Sequence, residues 1–291
     1  MTLAGVSKVT RSRLQVLGAA FLFSTGGAAI KATDFNNWQV AAFRSGIAAA
    51  AILLLLPAAR RVGDWRIWLV GVAYAVTLIA FVTANKLTTA ANAIFLQDTA
   101  PLYLLLAGPW LLKEHVTRRD VAVLSVMAAG MVLFFVGEQR ISATAPDPMK
   151  GNIIAVVSAV TWAITLGGLR WLESRHTGGE PGMATVGLGN TIAFLLCVPL
   201  ALPVEGAAIR DWAAVAYLGL FQVALAYVLL TRGVRRIPAL EVSLLILIEP
   251  ALNPLWAGLM HGEWPGPLAV AGGALILLAS AWQLLVRRSG T

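Results

Sequence analysis

The stretch AANAIFLQDTAP, Ala90–Pro101, can be laid without a gap on ALEVSLLILIEP, Ala239–Pro250. The shift of 149 residues keeps Ala90 on Ala239, Leu96 on Leu245 and Pro101 on Pro250. Carried outward, it sets Leu106 on Leu255, Glu114 on Glu263 and Lys86 on Arg235. At a shift of 139, Phe23 falls on Trp162 and Lys31 on Arg170. Self-similarity at a fixed offset marks two copies of one structural unit. The division falls at the Gly137–Gly151 connection, which carries Pro146 and Pro148. Residues 1–143 then form a first repeat and residues 144–291 a second, together one transmembrane domain.

The solvent of this domain follows from composition. Of 291 residues, 58% are hydrophobic and 12% charged, about half the ~25% charged share of a soluble domain. Mean hydropathy is +0.78. So few polar groups cannot cover a surface facing water, which points to an integral membrane protein. Disorder fails on aliphatic content, and a disulfide framework fails on the single cysteine, Cys197.

A hydrocarbon core about 30 Å thick takes roughly 20 apolar residues of helix. Ten such segments can be marked: Leu14–Ala32, Gln39–Leu56, Trp68–Ala84, Ala90–Leu112, Ala122–Val136, Asn152–Trp171, Ala184–Leu202, Ala213–Leu230, Ala239–Met260 and Pro267–Val286. Stretches such as Ala48–Leu56 are apolar at every position, where barrel strands would alternate. The expected fold is an all-α integral membrane protein of ten transmembrane helices, arranged as two five-helix repeats. Five is odd, so the second repeat enters the membrane from the opposite side. The first segment follows Lys8, Arg11 and Arg13 as a secretory signal would, but Ala29-Ile30-Lys31-Ala32 is a poor cleavage site. An uncleaved first helix is expected.

The net charge of +8 sets topology and not nucleic-acid binding. With the N-terminus inside, 16 of the 22 Lys and Arg residues fall in inside connections and five outside, and Arg44 lies within a span. That bias obeys the positive-inside rule and predicts both termini cytoplasmic, in a plasma (bacterial inner) membrane. Most tryptophans lie near span ends, at interface depth. Trp162, halfway along the sixth span, is the exception.

The sequence is similar to the drug/metabolite transporter superfamily, in its EamA-type branch. The resemblance is carried by Phe23-Ser24-Thr25 leading to Lys31, by Arg44 after Phe43, by Pro101 with Leu111-Leu112-Lys113-Glu114, and by Pro250 with His261-Gly262-Glu263. It extends over nearly the whole chain. Phe23 departs from the commoner tryptophan. Within the branch the chain most resembles YddG-type exporters of aromatic amino acids. That resemblance implies export of aromatic and other neutral amino acids.

Read from the residues, Tyr74, Thr77 and Phe81 share one face of the third span at i, i+3 and i+7. With Phe23, Ser24, Trp162, Gln222 and Tyr227 they would line a mostly apolar substrate pocket, or pack as core. Glu249, Asp98 and Arg44 are ionisable groups within spans and are candidates for gating or charge roles. Arg44 is expected to pair with one of the carboxylates. Glu241 is a further ionisable residue, at the start of the ninth span. Pro101 and Pro250 are candidate hinges, each freeing the carbonyl four residues earlier. Gly26, Gly27, Gly167 and Gly168 would allow bending or close approach. Lys31 and Arg170 are expected to anchor at the interface.

The expected function is a secondary transporter, not an enzyme, exporting small organic solutes by alternating access through a central cavity. Efflux of lipophilic cations or other metabolites is the alternative, with a channel or an intramembrane lipid enzyme more remote. There is no Gly-x-x-x-x-Gly-Lys-Ser/Thr loop, no His/Glu metal spacing and no base near Cys197. No cofactor and no metal are expected. The expected partners are a small-molecule substrate and the lipid bilayer, with no nucleic acid and no obligate protein partner.

Overall fold

A computed structural model describes residues 8–111, 118–137, 141–175, 180–233, 242 and 245–288. Helices dominate them. They are α1 Lys8–Ser24, α2 Gly26–Lys31, α3 Asn37–Leu55, α4 Trp65–Leu87, α5 Ala90–Gln97, α6 Ala100–Leu111 and α7 Arg118–Val136. The second half gives α8 Pro148–Arg175, α9 Pro181–Ala201, α10 Ile209–Tyr217, α11 Ala226–Gly233, α12 Ile248–His261 and α13 Pro267–Arg288. A π-helical segment, Leu218–Leu225, joins α10 to α11.

Boundaries follow local chemistry. Asn36 and Gln39 form a reciprocal capping box at the start of α3, and the Thr89 hydroxyl accepts from the Asn92 amide at the start of α5. Prolines open α8, α9 and α13, where a missing N–H costs least. Gly262, at φ 67°, ends α12 in the left-handed conformation that glycine adopts without penalty.

Among the described residues, six helical stretches are long and apolar enough to cross a membrane: Lys8–Lys31, Asn37–Leu55, Trp65–Leu87, Pro148–Leu169, Pro181–Ala201 and Ile209–Gly233. Val121–Val136 and Pro267–Trp282 are shorter apolar helices. The Ala90–Leu112 segment is not one straight rod. It breaks at Asp98–Thr99, between α5 and α6. The ninth segment turns at Leu247, before α12. The two breaks are equivalent at the shift of 149, and each lies just before its proline. Pro101 and Pro250 therefore sit in the first turn of a second half-helix, where the chain tolerates them.

The burial pattern is that of a protein dissolved in lipid. Leu54, Leu55, Leu195, Leu196, Ile164 and Leu278 point outward, while Arg44, Gln222, Asn190, Asn253 and Thr77 are buried. Helices of the two halves pack mainly on each other: α4 on α8, α3 on α9, α7 on α13, and α11 on α1. Gly130 and Gly272 let α7 and α13 touch, since a Cβ on Gly272 would come within 2.6 Å of the Gly130 carbonyl oxygen. At the mid-chain connection, the Asn152 carboxamide accepts from Thr88 and Asn92 and donates to the Phe134 carbonyl.

Candidate functional site

The breaks and the π segment converge on one cavity of about 150 Å³. Seven of the eight residues expected in the pocket line it: Phe23, Tyr74, Thr77, Phe81, Trp162, Gln222 and Tyr227. Asp98, Glu249 and Arg44 line it as well. The sequence named Gln97 and Ile246 as carbonyls freed by Pro101 and Pro250 and did not single out Leu78, Ile94, Val223 or Leu230; these six complete the wall.

Four aromatic rings form a continuous surface through the site. Trp162 lies 6.3 Å from Tyr74, Tyr74 5.8 Å from Tyr227, and Tyr227 5.1 Å from Phe23, the last two pairs edge to face. Such contacts hold the rings in fixed orientations. Phe23 thus contributes an aromatic wall. Tyr74 and Thr77 lie on the buried face of α4, as the spacing predicts. The Thr77 hydroxyl donates to the Ala73 carbonyl at 3.0 Å or to Thr161 at 2.9 Å.

Gln222 projects from the π-helical segment, a distortion that often marks functional positions. Its Oε1 has no partner among the described residues. The Gln97 amide donates to Ser158 at 2.8 Å. Asp98 caps the C-terminus of α5 beside the break, and Glu249 stands in the first turn of α12. An α-helix N-terminus favours negative charge, which suits Glu249 there. The two carboxylates line the same cavity.

Several expectations need correction. Ser24 does not line the cavity: it is fully buried, donates to the Phe21 carbonyl at 2.7 Å and accepts from the Trp256 indole at 2.9 Å. Arg44 lines the cavity without the expected ion pair, since among the described residues none joins it to Asp98 or Glu249. Its electrostatic neighbours are the hydroxyls of Tyr74 and Tyr227. Gly26 and Gly27 follow the break at Thr25 and serve close approach: a Cβ on Gly26 would meet Gln222, and one on Gly27 would meet Asn253 and Ala90. Gly167 and Gly168 lie inside an unbroken α8, Gly168 against Val70.

Lys31 departs furthest from expectation. It is no interfacial anchor, its side chain being 2% exposed. It pairs with Glu263 at 3.0 Å and donates to the carbonyls of Thr88 and Thr144. Glu263 also accepts from the Ala90 amide, and the neighbouring His261 ring contacts the Ala28 carbonyl at 2.8 Å. The ends of α2, α5 and α12 are thereby tied into one knot. Glu114, Glu241 and the Arg170 side chain lie outside the described residues.

The model of the EamA-like transporter family matches residues 11–136 and again 149–285. The threonine/homoserine exporter RhtA of Escherichia coli K12 is 28% identical over 199 residues, which is 66% of this chain and 65% of that exporter's length. The pseudopaline exporter CntI of Pseudomonas aeruginosa UCBPP-PA14 is 27% identical over 273 residues, 90% of this chain and 91% of the relative. A solved crystal structure has the same fold, with a TM-score of 0.64 at 22% identity, over 96% of this chain and 99% of the other.

Proposed function

The chain belongs to the EamA-like transporter family, and from that premise we propose that it exports small neutral amino acids, aromatic ones included, by alternating access through the cavity. The family is one of transporters and not of enzymes. The observation that carries the substrate reading is the cavity itself: a small space walled by four aromatic rings and edged by a few polar groups. Drug-sized ligands occupy pockets of ~300–1,000 Å³. A volume near 150 Å³ lies below that range and suits a solute on the scale of a single amino acid. Relatives named as a threonine/homoserine exporter and a pseudopaline exporter support the coarser class of small-solute exporter.

In this reading the chain makes ten membrane crossings as two inverted repeats, residues 1–143 and 144–291, with both termini cytoplasmic in a bacterial inner membrane. Three features support it. The family model matches twice, once in each half. The helix breaks at Asp98 and Leu247 coincide at the repeat shift. Packing is also reciprocal: α4 on α8 is answered by α11 on α1, the pair that an exchange of halves produces. Inverted repeats with broken helices at the midplane are a recurrent transporter design.

The working cycle follows from these parts. Substrate enters from the cytoplasm and lays its side chain against Trp162, Tyr74, Tyr227 and Phe23. The half-helices after Pro101 and Pro250 swing relative to their neighbours. The knot of Lys31 and Glu263, at the predicted external end, holds that side shut until the halves exchange. A second reading, efflux of lipophilic cations, is favoured by the two carboxylates against one arginine in the cavity. Uptake into inverted vesicles separates the readings: L-threonine and L-phenylalanine are expected to move, and transport of tetraphenylphosphonium alone would overturn the proposal.

A further inference from the structure

The cavity holds ionisable groups of both signs, with no ion pair between them among the described residues. Arg44 is 3% exposed and lines the cavity from α3, yet its Nε and Nη1 have no hydrogen-bond partner among the described residues. Asp98 and Glu249 line the cavity from the two helix breaks, and Asp98 Oδ2 also has no partner among the described residues. Tyr74 and Tyr227 line the same cavity, and their hydroxyls are the electrostatic neighbours of Arg44. A charge inside a membrane protein is costly, and it usually meets an opposite charge or serves a transported species. Here the opposite charges are present and left apart.

The geometry points to split recognition of a zwitterion: Arg44 takes the substrate's carboxylate, Asp98 and Glu249 take its ammonium, and the aromatic wall takes its side chain. This rests on the amino-acid reading above and names the groups that enforce it. A guanidinium presents a planar fork that matches a carboxylate with two parallel hydrogen bonds. An ammonium has three donors and no acceptor, so it needs carboxylates or carbonyls. A neutral amino acid satisfies both regions at once. A cation without a carboxylate leaves Arg44 buried and unpartnered, and an anion without an ammonium leaves the two acids without a cation. Sites built to bind a polar group reject analogues that lack it far more strongly than apolar pockets reject a methylene.

The test is counterflow in liposomes of radiolabelled L-phenylalanine or L-threonine, whichever the wild type exchanges faster. Three competitors are compared: the same amino acid, its amide, which keeps only the ammonium, and its deaminated acid, which keeps only the carboxylate. In the wild type both one-charge analogues should compete at least ~10-fold more weakly than the amino acid. Arg44→Gln should relieve the rejection of the amide and not of the deaminated acid. Glu249→Gln, or Asp98→Asn, should do the reverse, and Arg44→Lys should keep the amide rejected. For a variant too slow to exchange, the melting-temperature shift that each compound gives in detergent supplies the same ratios. Equal competition by the amide in the wild type overturns the clamp, as do variants that lose flux with every ratio unchanged. A wild type that exchanges neither amino acid but carries tetraphenylphosphonium removes the amino-acid reading itself, and the clamp with it.

Discussion

Trp162 stands halfway along α8 with its ring at the cavity, and Ser24 lies one residue from a cavity residue yet turns away. The contrast gives a paired experiment. Trp162→Ala removes a wall of the site and should cut transport at least ~10-fold or shift selectivity in a folded protein, since large aromatics dominate contact energetics. Ser24→Ala removes the acceptor for the Trp256 indole, so it should lower stability by about 1 kcal/mol and leave selectivity unchanged. Flux assays read the first effect and thermal unfolding in detergent the second. A tryptophan in mid-span is conspicuous in the sequence, which is why its place was legible. The orientation of Ser24 was not, because its partner lies 232 residues away.

At the scale of elements, the helix breaks and the Lys31–Glu263 knot make separate predictions. The prolines are visible in the sequence, but the turn forms just before each of them, so that a carboxylate, Asp98 or Glu249, stands beside the break. Replacing Pro101 or Pro250 by Ala should favour a continuous helix, and should lower the maximal rate more than it raises KM. Lys31→Gln leaves Glu263 buried without its cation and should cost ~3–5 kcal/mol, as should Glu263→Gln for the lysine. The double variant should cost clearly less than the sum, since the two residues share one interaction. A cysteine placed near the knot should react faster with an external reagent once the pair is broken. Sequence spacing could show that Lys31 sits at a helix end, but not that the end of α12 would bury it. The π segment was equally hidden, because Leu218–Leu225 reads as an ordinary apolar run.

For the whole molecule, the proposed repeat starts from the self-match of Ala90–Pro101 with Ala239–Pro250, and two similar halves would pack through reciprocal faces. The observed pairs, α4 with α8 and α11 with α1, follow that rule. The cavity was legible where a helix face was legible, as for Tyr74, Thr77 and Phe81 on α4. It was not where a side chain's neighbours decide, as for Gln97 and for Arg44 without its expected ion pair. The central claim is that this cavity carries small neutral amino acids from one side of the membrane to the other. Counterflow measures it most directly: liposomes holding purified protein and millimolar unlabelled L-threonine or L-phenylalanine are diluted into trace label. The account predicts a transient accumulation of label that requires the internal amino acid and is lost in Trp162→Ala. Label that equilibrates at the rate of empty liposomes, for every neutral amino acid tried, would contradict it.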